Sequence, residues 1–152
     1  MKFRVLTVGR SRCRWANEAV ADYTKRMRRH GGVEERALKQ EPFRGNPDAV
    51  RVAEAARIAA TLGPQDHLVV LDERGARLDT DGFAALVDQG RQAGNVTFAL
   101  GGPYGHDTDL RDRAWRVVRL SDLVLNHEVA RVLLYEQLYR AMTLLAGVPY
   151  HH

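Results

Sequence analysis

The chain has 152 residues, of which 45% are hydrophobic, and a formal net charge of +4. These values fit one domain over residues 1–152 that can bury its own core. No apolar run approaches the ~20 residues of a membrane-spanning helix, and the charged start of the chain is not typical of a signal peptide. The single cysteine, Cys13, cannot form an internal disulfide, so we expect a reducing, cytoplasmic compartment.

Basic residues are concentrated in the first two fifths of the chain. Residues 1–60 hold 14 Lys and Arg against 7 Asp and Glu, whereas residues 61–152 hold 9 against 12. Such an asymmetry favours contact with a polyanion, although solvated helix faces would give the same composition. The clusters consist of Arg10, Arg12 and Arg14, and of Lys25, Arg26, Arg28 and Arg29.

Apolar runs of strand length alternate with segments of helical periodicity along the whole chain. Strands are predicted over 3–8, 33–38, 67–72, 95–102 and 116–120, and helices over 15–29, 47–62, 81–94, 107–115 and 128–146. Asn46 and Pro47 are typical of a helix start, and Thr80 or Asp81 is expected to cap the third helix. The alternation predicts an α/β fold with a mostly parallel sheet and helices on both faces.

Ligands of open α/β sheets bind beyond the carboxyl ends of the strands. Three loops are expected at that edge, namely "LDERG" (71–75), "LGGPYGH" (100–106) and "LSDLVLNH" (120–127). The chain has neither a phosphate-binding P-loop nor a dinucleotide fingerprint at its first strand, which disfavours a flavodoxin-like or other nucleotide-binding protein. The histidines lack the spacing of metal ligands, and Cys13 has no evident base partner. We therefore expect no metal.

Three segments carry a resemblance to a known family. "LDERG", "FALGGPYG" and above all "RLSDLVLNHEVARVLLYEQLYRAMTLLAGVPYHH" resemble the RlmH family of SPOUT-class methyltransferases. The resemblance implies a C-terminal trefoil knot, S-adenosylmethionine as the methyl donor, and a homodimer with the active site at the subunit interface. It also implies N3-methylation of a pseudouridine in a stem-loop of large-subunit ribosomal RNA, either free or in an assembled ribosome.

The resemblance also implies which residues form the cofactor pocket. These are Leu71, Gly102, Ser121, Asp122, Leu123, Val124, Leu125 and Asn126. The glycines are expected to let the backbone approach the cofactor. A side chain at Gly102 would then occupy the space in which backbone and ligand meet.

The reaction requires a base that removes the imide proton and groups that hold the nucleotide. His127 is the first candidate, with a capping or packing histidine as the alternative. Tyr150 and His151 are the second, from a tail that could reach the partner subunit's pocket, with a frayed terminus as the alternative. Arg131 is a candidate phosphate ligand, or else a partner in a surface ion pair. The candidate RNA contacts are Arg10, Arg12, Arg14, Lys25 and Arg26.

Two further functions stay open at this point. The chain could be a SPOUT methyltransferase for another RNA nucleoside, or a catalytically inactive knotted RNA-binding protein. "GGPYGH", "LNHE" and "YHH" look closer to plant-type members than to common bacterial ones, which would make the compartment organellar rather than cytoplasmic.

Overall fold

Five parallel strands form one sheet in the order β2-β1-β4-β3-β5 in the computed structural model, which describes residues 3–152. The strands are β1 (Phe3–Val8), β2 (Glu34–Leu38), β3 (Asp66–Arg77), β4 (Asn95–Leu100) and β5 (Arg116–Arg119). The helices are α1 (Arg14–Met27), α2 (Pro47–Ala59), α3 (Thr80–Ala93), α4 (Thr108–Arg113) and α5 (His127–Leu145). The predicted alternation and parallel sheet are confirmed.

Helices cover both faces of the sheet, each over its own apolar core. On one face, α1, α3 and α5 contribute Val20, Phe83 and Leu134 to the larger cluster. On the other face, Ile58 of α2 and Leu110 of α4 pack on strand residues. The near-continuous apolar runs of the central strands follow from this double burial.

Local sequence signals explain most helix starts. The Asn46 side chain accepts a hydrogen bond from the Asp48 amide at 2.9 Å, as expected for the start of α2. The predicted cap of α3 is wrong, because the side chain of Asp79 accepts from the Gly82 amide at 2.7 Å and Thr80 is already helical. Aspartate and threonine at neighbouring positions are both good caps, so the sequence alone does not separate them.

The third strand extends beyond its predicted end. β3 continues through "LDERG" to Arg77, and both Leu71 and Ala76 pair with Val118 of β5 across a register shift. Gly75 lies within this shift, where an added Cβ would come within 2.6 Å of the Val118 backbone. The missing side chain therefore lets the two strands approach at the edge where the loops meet.

Candidate active site

A pocket of about 750 Å³ lies at the carboxyl edge of the sheet. Its walls come from the three segments expected at this edge, of which the first, residues 71–74, is part of β3 and not a loop as predicted, and the others follow β4 and β5. The parallel arrangement explains the convergence, because all strands end at the same edge.

Six of the eight predicted cofactor residues line this pocket. They are Leu71, Gly102, Ser121, Leu123, Val124 and Leu125. The other two hold the surrounding loop. Asp122 forms ion pairs with Arg77 at 2.5 Å and Arg119 at 3.4 Å, and Asn126 caps α5 by accepting from the Glu128 amide at 2.9 Å.

The glycine loop is closed by a hydrogen bond from the Gly105 amide to the Gly102 carbonyl at 3.0 Å. Gly105 has a φ of +77°, which favours glycine. The expected role of Gly102 is wrong in one respect. A Cβ there would meet Glu54 Oε1 at 2.8 Å and Val8 Cγ1 at 3.2 Å, so it would enter the protein interior and not the pocket.

Glu54 supports the loop from beneath and was not identified from the sequence. Its carboxyl group accepts a hydrogen bond from the Glu41 amide at 3.1 Å, and the residue is only 3% exposed. The other oxygen, Oε1, has no hydrogen-bond partner among the described residues. Burial raises the pKa of Glu54 above its usual range. A glutamate within the alanine-rich run of α2 was the available signal.

Substitution of Gly102 by Ala should act through Glu54. We expect the new methyl group to displace the loop, lower S-adenosylmethionine affinity about tenfold and reduce stability by about 1–2 kcal/mol. Removing the carboxyl group by Glu54→Ala should partly restore both quantities in the double variant. A double-mutant cycle by calorimetry and urea unfolding measures this coupling. Strictly additive effects would contradict the assigned direction of the Gly102 substituent.

His106 forms a second support of the glycine loop and was also missed. Its imidazole is buried beneath Gly101, and Nε2–H donates to the Ala99 carbonyl at 3.1 Å. Burial lowers the pKa of His106 below its ordinary value of 6.5. The ring is therefore neutral at physiological pH and ties the loop to the end of β4.

A buried histidine with a depressed pKa makes stability depend on pH. Below pH 6.5 the unfolded chain binds a proton that the folded chain resists, so stability should fall as the pH decreases. His106→Gln keeps a donor for Ala99 without this titration. Urea midpoints at about pH 7.5 and about pH 5.5 should differ more for wild type than for the variant. If the urea midpoint changes equally with pH in wild type and variant, His106 does not contribute to the pH dependence of stability.

Charged side chains line the pocket next to apolar ones. Asp72 receives hydrogen bonds from the Arg74 side chain at 2.9 and 3.1 Å, and Arg111 lies 3.9 Å away. Burial alone would raise the pKa of Asp72, but the bonds from Arg74 lower it below its ordinary value. The Asp72 side chain is buried and already paired, so the pocket offers guanidinium groups, exposed backbone and leucine side chains to a ligand.

The candidate base His127 lies at the pocket wall, on the first turn of α5. Its Nε2 is 3.3 Å from Glu128 Oε1, and the ring is largely exposed. A proton on Nε2 would point toward the carboxylate, leaving Nδ1 as an acceptor. This geometry suits an imidazole that takes up a proton.

Arg131 does not face the pocket. Its Nε and Nη2 donate to Glu35 at 2.9 and 2.7 Å, and Nη1 donates to Asn17 at 2.8 Å. Tyr135 adds a hydrogen bond to the same Glu35 carboxylate at 2.8 Å. This buried network joins α5 to β2 and α1, so within one chain Arg131 positions the start of α5 and is not free for a phosphate.

The tail packs on its own α5, away from the pocket. Tyr150 donates to Glu136 at 3.1 Å and meets the Tyr139 ring edge-on at 4.7 Å, and His151 accepts from Arg140 at 3.0 Å. Burial raises the pKa of Tyr150 to about 12, so it remains a phenol. Tyr139 is about 18 Å along the helix axis from His127. One chain therefore does not bring the two sets of candidate catalytic residues together.

The five candidate RNA contacts are exposed on α1 and the segment before it. Arg14 pairs with Glu18 and Arg26 with Asp22, each at 2.9 Å. Arg10, Arg12 and Lys25 have no carboxylate partner among residues 3–152, which leaves their charge available to an anion.

No group of three or more His, Cys, Asp and Glu in residues 3–152 is placed to hold a metal ion. No helix in the same range is long and apolar enough to cross a membrane.

Comparison with known proteins agrees with this geometry. The family described as "Predicted SPOUT methyltransferase" matches residues 1–151. The Ribosomal RNA large subunit methyltransferase H of Solidesulfovibrio magneticus is 42% identical and that of Pelobacter propionicus 38%, with at least 97% of each chain covered. An Arabidopsis thaliana protein named as a candidate RNA methyltransferase is 36% identical over all of this chain and 80% of its own. The chain belongs to the SPOUT methyltransferase family.

Proposed function

We propose that the chain transfers a methyl group from S-adenosylmethionine to N3 of a pseudouridine in a stem-loop of large-subunit ribosomal RNA. The observation that carries the proposal is the pocket at the carboxyl edge, formed by the loops that the family resemblance assigns to the cofactor. The names of the bacterial relatives supply the class of substrate. Family membership also implies the trefoil knot of the C-terminal segment.

The residues present fit S-adenosylmethionine. The backbone of the glycine loop and the leucine side chains suit a flat adenine ring, and the exposed guanidinium group of Arg74 suits the carboxylate of the cofactor. Gly105 allows the tight turn that exposes the loop backbone. When bound, the cofactor supplies an electrophilic methyl group.

His127 is the proposed proton acceptor. Its Nδ1 would take the N3 proton of the base, and Glu128 at 3.3 Å from Nε2 would stabilise the imidazolium. Arg131 acts as a positioning residue, because it fixes the turn of α5 that follows His127 through Glu35 and Asn17. By orienting His127, these contacts further lower the activation barrier of methyl transfer.

A homodimer would complete the site. The tail and His127 lie at separate places on α5, so the tail of one subunit would have to reach the pocket of its partner. Large apolar side chains are exposed just before and within the start of α5, where Leu123 is 77% and Val124 82% exposed, and Val129 of α5 and Trp15 of α1 are exposed as well. Exposed apolar side chains of this size are typical of interaction sites.

The dimer leads to a direct prediction. Sedimentation at micromolar concentration should give about twice the chain mass of 17.1 kDa. Val129→Asp should dissociate the dimer and abolish methylation, because it places a charge among the exposed apolar side chains at the start of α5. Val52→Asp, at an exposed valine of α2, is the matched control and should remain dimeric. A fully active monomer would contradict the site shared between subunits.

The function itself is tested on the modified nucleoside. Ribosomal RNA from cells with and without the gene is digested and mapped by mass spectrometry, and calorimetry measures S-adenosylmethionine binding. We expect a methylated pseudouridine that disappears with the gene. A methyl group on another nucleoside would support the SPOUT enzyme of different specificity. Absence of both methylation and cofactor binding would support the inactive RNA-binding protein.

A further inference from the structure

Two aromatic rings stack on the surface at the rim of the pocket. Phe43, in the loop between β2 and α2, lies 5.2 Å from Tyr104 at the tip of the glycine loop, with an angle of 21° between the rings. Phe43 is 53% and Tyr104 38% exposed. Large aromatic side chains in a stacked and exposed pair present a broad π-face to a ligand.

The pair is held in place by α2. Arg51 donates from Nη1 to the Tyr104 carbonyl at 3.0 Å and is itself paired with Asp48. Tyr104, Arg51 and Asp48 all line the pocket, so the rings stand directly beside the proposed cofactor site. A tethered loop tip keeps the aromatic surface formed before a ligand arrives, which lowers the entropic cost of binding.

The loop that carries Phe43 also holds two unpaired cations. Lys39 and Arg44 lie in the same loop as Phe43 and are exposed, and neither forms an ion pair with a carboxylate in residues 3–152. Glu41 in that loop is already paired with Arg57. The loop that carries Phe43 therefore holds two cations that are free to contact phosphates.

Resting on the proposed function, we propose that Phe43 and Tyr104 form a stacking platform for an unstacked nucleotide of the RNA loop that carries the methylated base. Single-stranded RNA is recognised by bases stacked on aromatic rings, with cations following the backbone. Lys39 and Arg44 contact the phosphates of that nucleotide. The platform thus fixes a neighbour of the target base at the rim of the pocket and orients the target toward His127.

Substitutions of Phe43 and Tyr104 can distinguish a role of the aromatic ring from a role of any apolar side chain of similar size. Phe43→Leu and Tyr104→Leu keep an apolar side chain but lose the ring. Tyr104→Phe is a control that keeps the ring. Val52→Ala is a control at an exposed apolar residue of α2. Fluorescence anisotropy measures Kd for the stem-loop RNA, and calorimetry measures Kd for S-adenosylmethionine. We expect each Leu variant to weaken RNA binding about 5- to 150-fold, and the two control variants to bind RNA near the wild-type affinity. Cofactor affinity should stay near wild type in Phe43→Leu, because Phe43 does not line the pocket.

Base stacking and phosphate contact can each be measured separately. A 2-aminopurine placed in turn at each loop position should be quenched by wild type at one position, and the Leu variants should lose that quenching. Lys39→Gln with Arg44→Gln should make the salt dependence of RNA binding shallower by about one unit per lost phosphate contact.

Several outcomes would overturn the platform. RNA affinity unchanged in both Leu variants would exclude it, and loss of cofactor affinity alone would make the pair a cover for the cofactor. A changed sedimentation coefficient would make it a subunit contact. If wild type fails to methylate RNA but the Leu variants still lose RNA affinity, the stacking platform is supported and the proposed function is contradicted.

Discussion

Deletion of Tyr150, His151 and His152 should lower the rate of methyl transfer by about 10²-fold or more, the loss expected when a reacting group is misplaced by about 1 Å. Affinity for S-adenosylmethionine should remain nearly unchanged, because none of the three residues lines the pocket. Single-turnover methylation at saturating RNA and calorimetry measure the two quantities. Deletion of His152 alone is the matched control, because only Tyr150 and His151 are assigned a role.

The contacts of the tail indicate what it contributes. Tyr150 stays protonated, since its pKa is raised to about 12 by burial, so it would donate a hydrogen bond or stack on a base and would not accept a proton. His151 accepts from Arg140 through Nδ1, which leaves its Nε2 proton as a donor. Both groups would therefore order the target nucleotide, and His127 is left as the proton acceptor.

A mixture of variants distinguishes a site within one chain from a site shared by two. Subunits without the tail and subunits with His127→Ala should each be inactive. After exchange, a mixed dimer has one site with an intact His127 and an intact tail from the partner, so activity should return. Failure to recover activity in mixed dimers would place the tail and the pocket of the same chain together.

Neutralising Arg10, Arg12 and Arg14 should have a different effect from the deletion. RNA binding should weaken and its salt dependence become shallower by about one unit per lost phosphate contact. At saturating RNA this variant should recover much of its rate, whereas the tail deletion should not. Equal recovery in both would assign the tail to RNA binding alone.

Local signals in the sequence were sufficient for the elements and for the edge at which the site lies. The caps and apolar runs depend on neighbouring residues, so Asn46 and the strand of residues 3–8 were predicted correctly. The strand order and the extension of β3 past Leu71 depend on pairing with distant segments, which no local pattern encodes.

Glu54 and His106, which support the glycine loop, could not be predicted from local sequence patterns either. Most pocket residues came from the resemblance, but Glu54 and His106 act from the protein interior. Their effect depends on the direction in which Gly102 and Gly101 face, and only the three-dimensional arrangement determines that direction. Likewise, the pairing of Arg131 with Glu35 joins residues 96 positions apart in the sequence.

Gly75 should be less tolerant of substitution than Gly102 or Gly105 of the glycine loop. An added Cβ would lie within 2.6–2.7 Å of backbone atoms of Val117 and Val118, which cannot rotate away as a side chain can. Gly75→Ala should therefore reduce the free energy of unfolding by about 3 kcal/mol or more, the upper range for overpacking. Gly75→Val should prevent folding.

The measurement is urea unfolding with Gly63→Ala as the matched control. At Gly63 the nearest atom to an added Cβ is Asp66 Oδ2 at 3.5 Å, an ordinary contact, so the change should be within about 0.5 kcal/mol. Because Gly75 holds β3 against β5, its substitution should also displace the loop that follows β5. Any folded Gly75→Ala protein should then bind S-adenosylmethionine more weakly, whereas wild-type stability and affinity in this variant would show that β3 and β5 separate without cost.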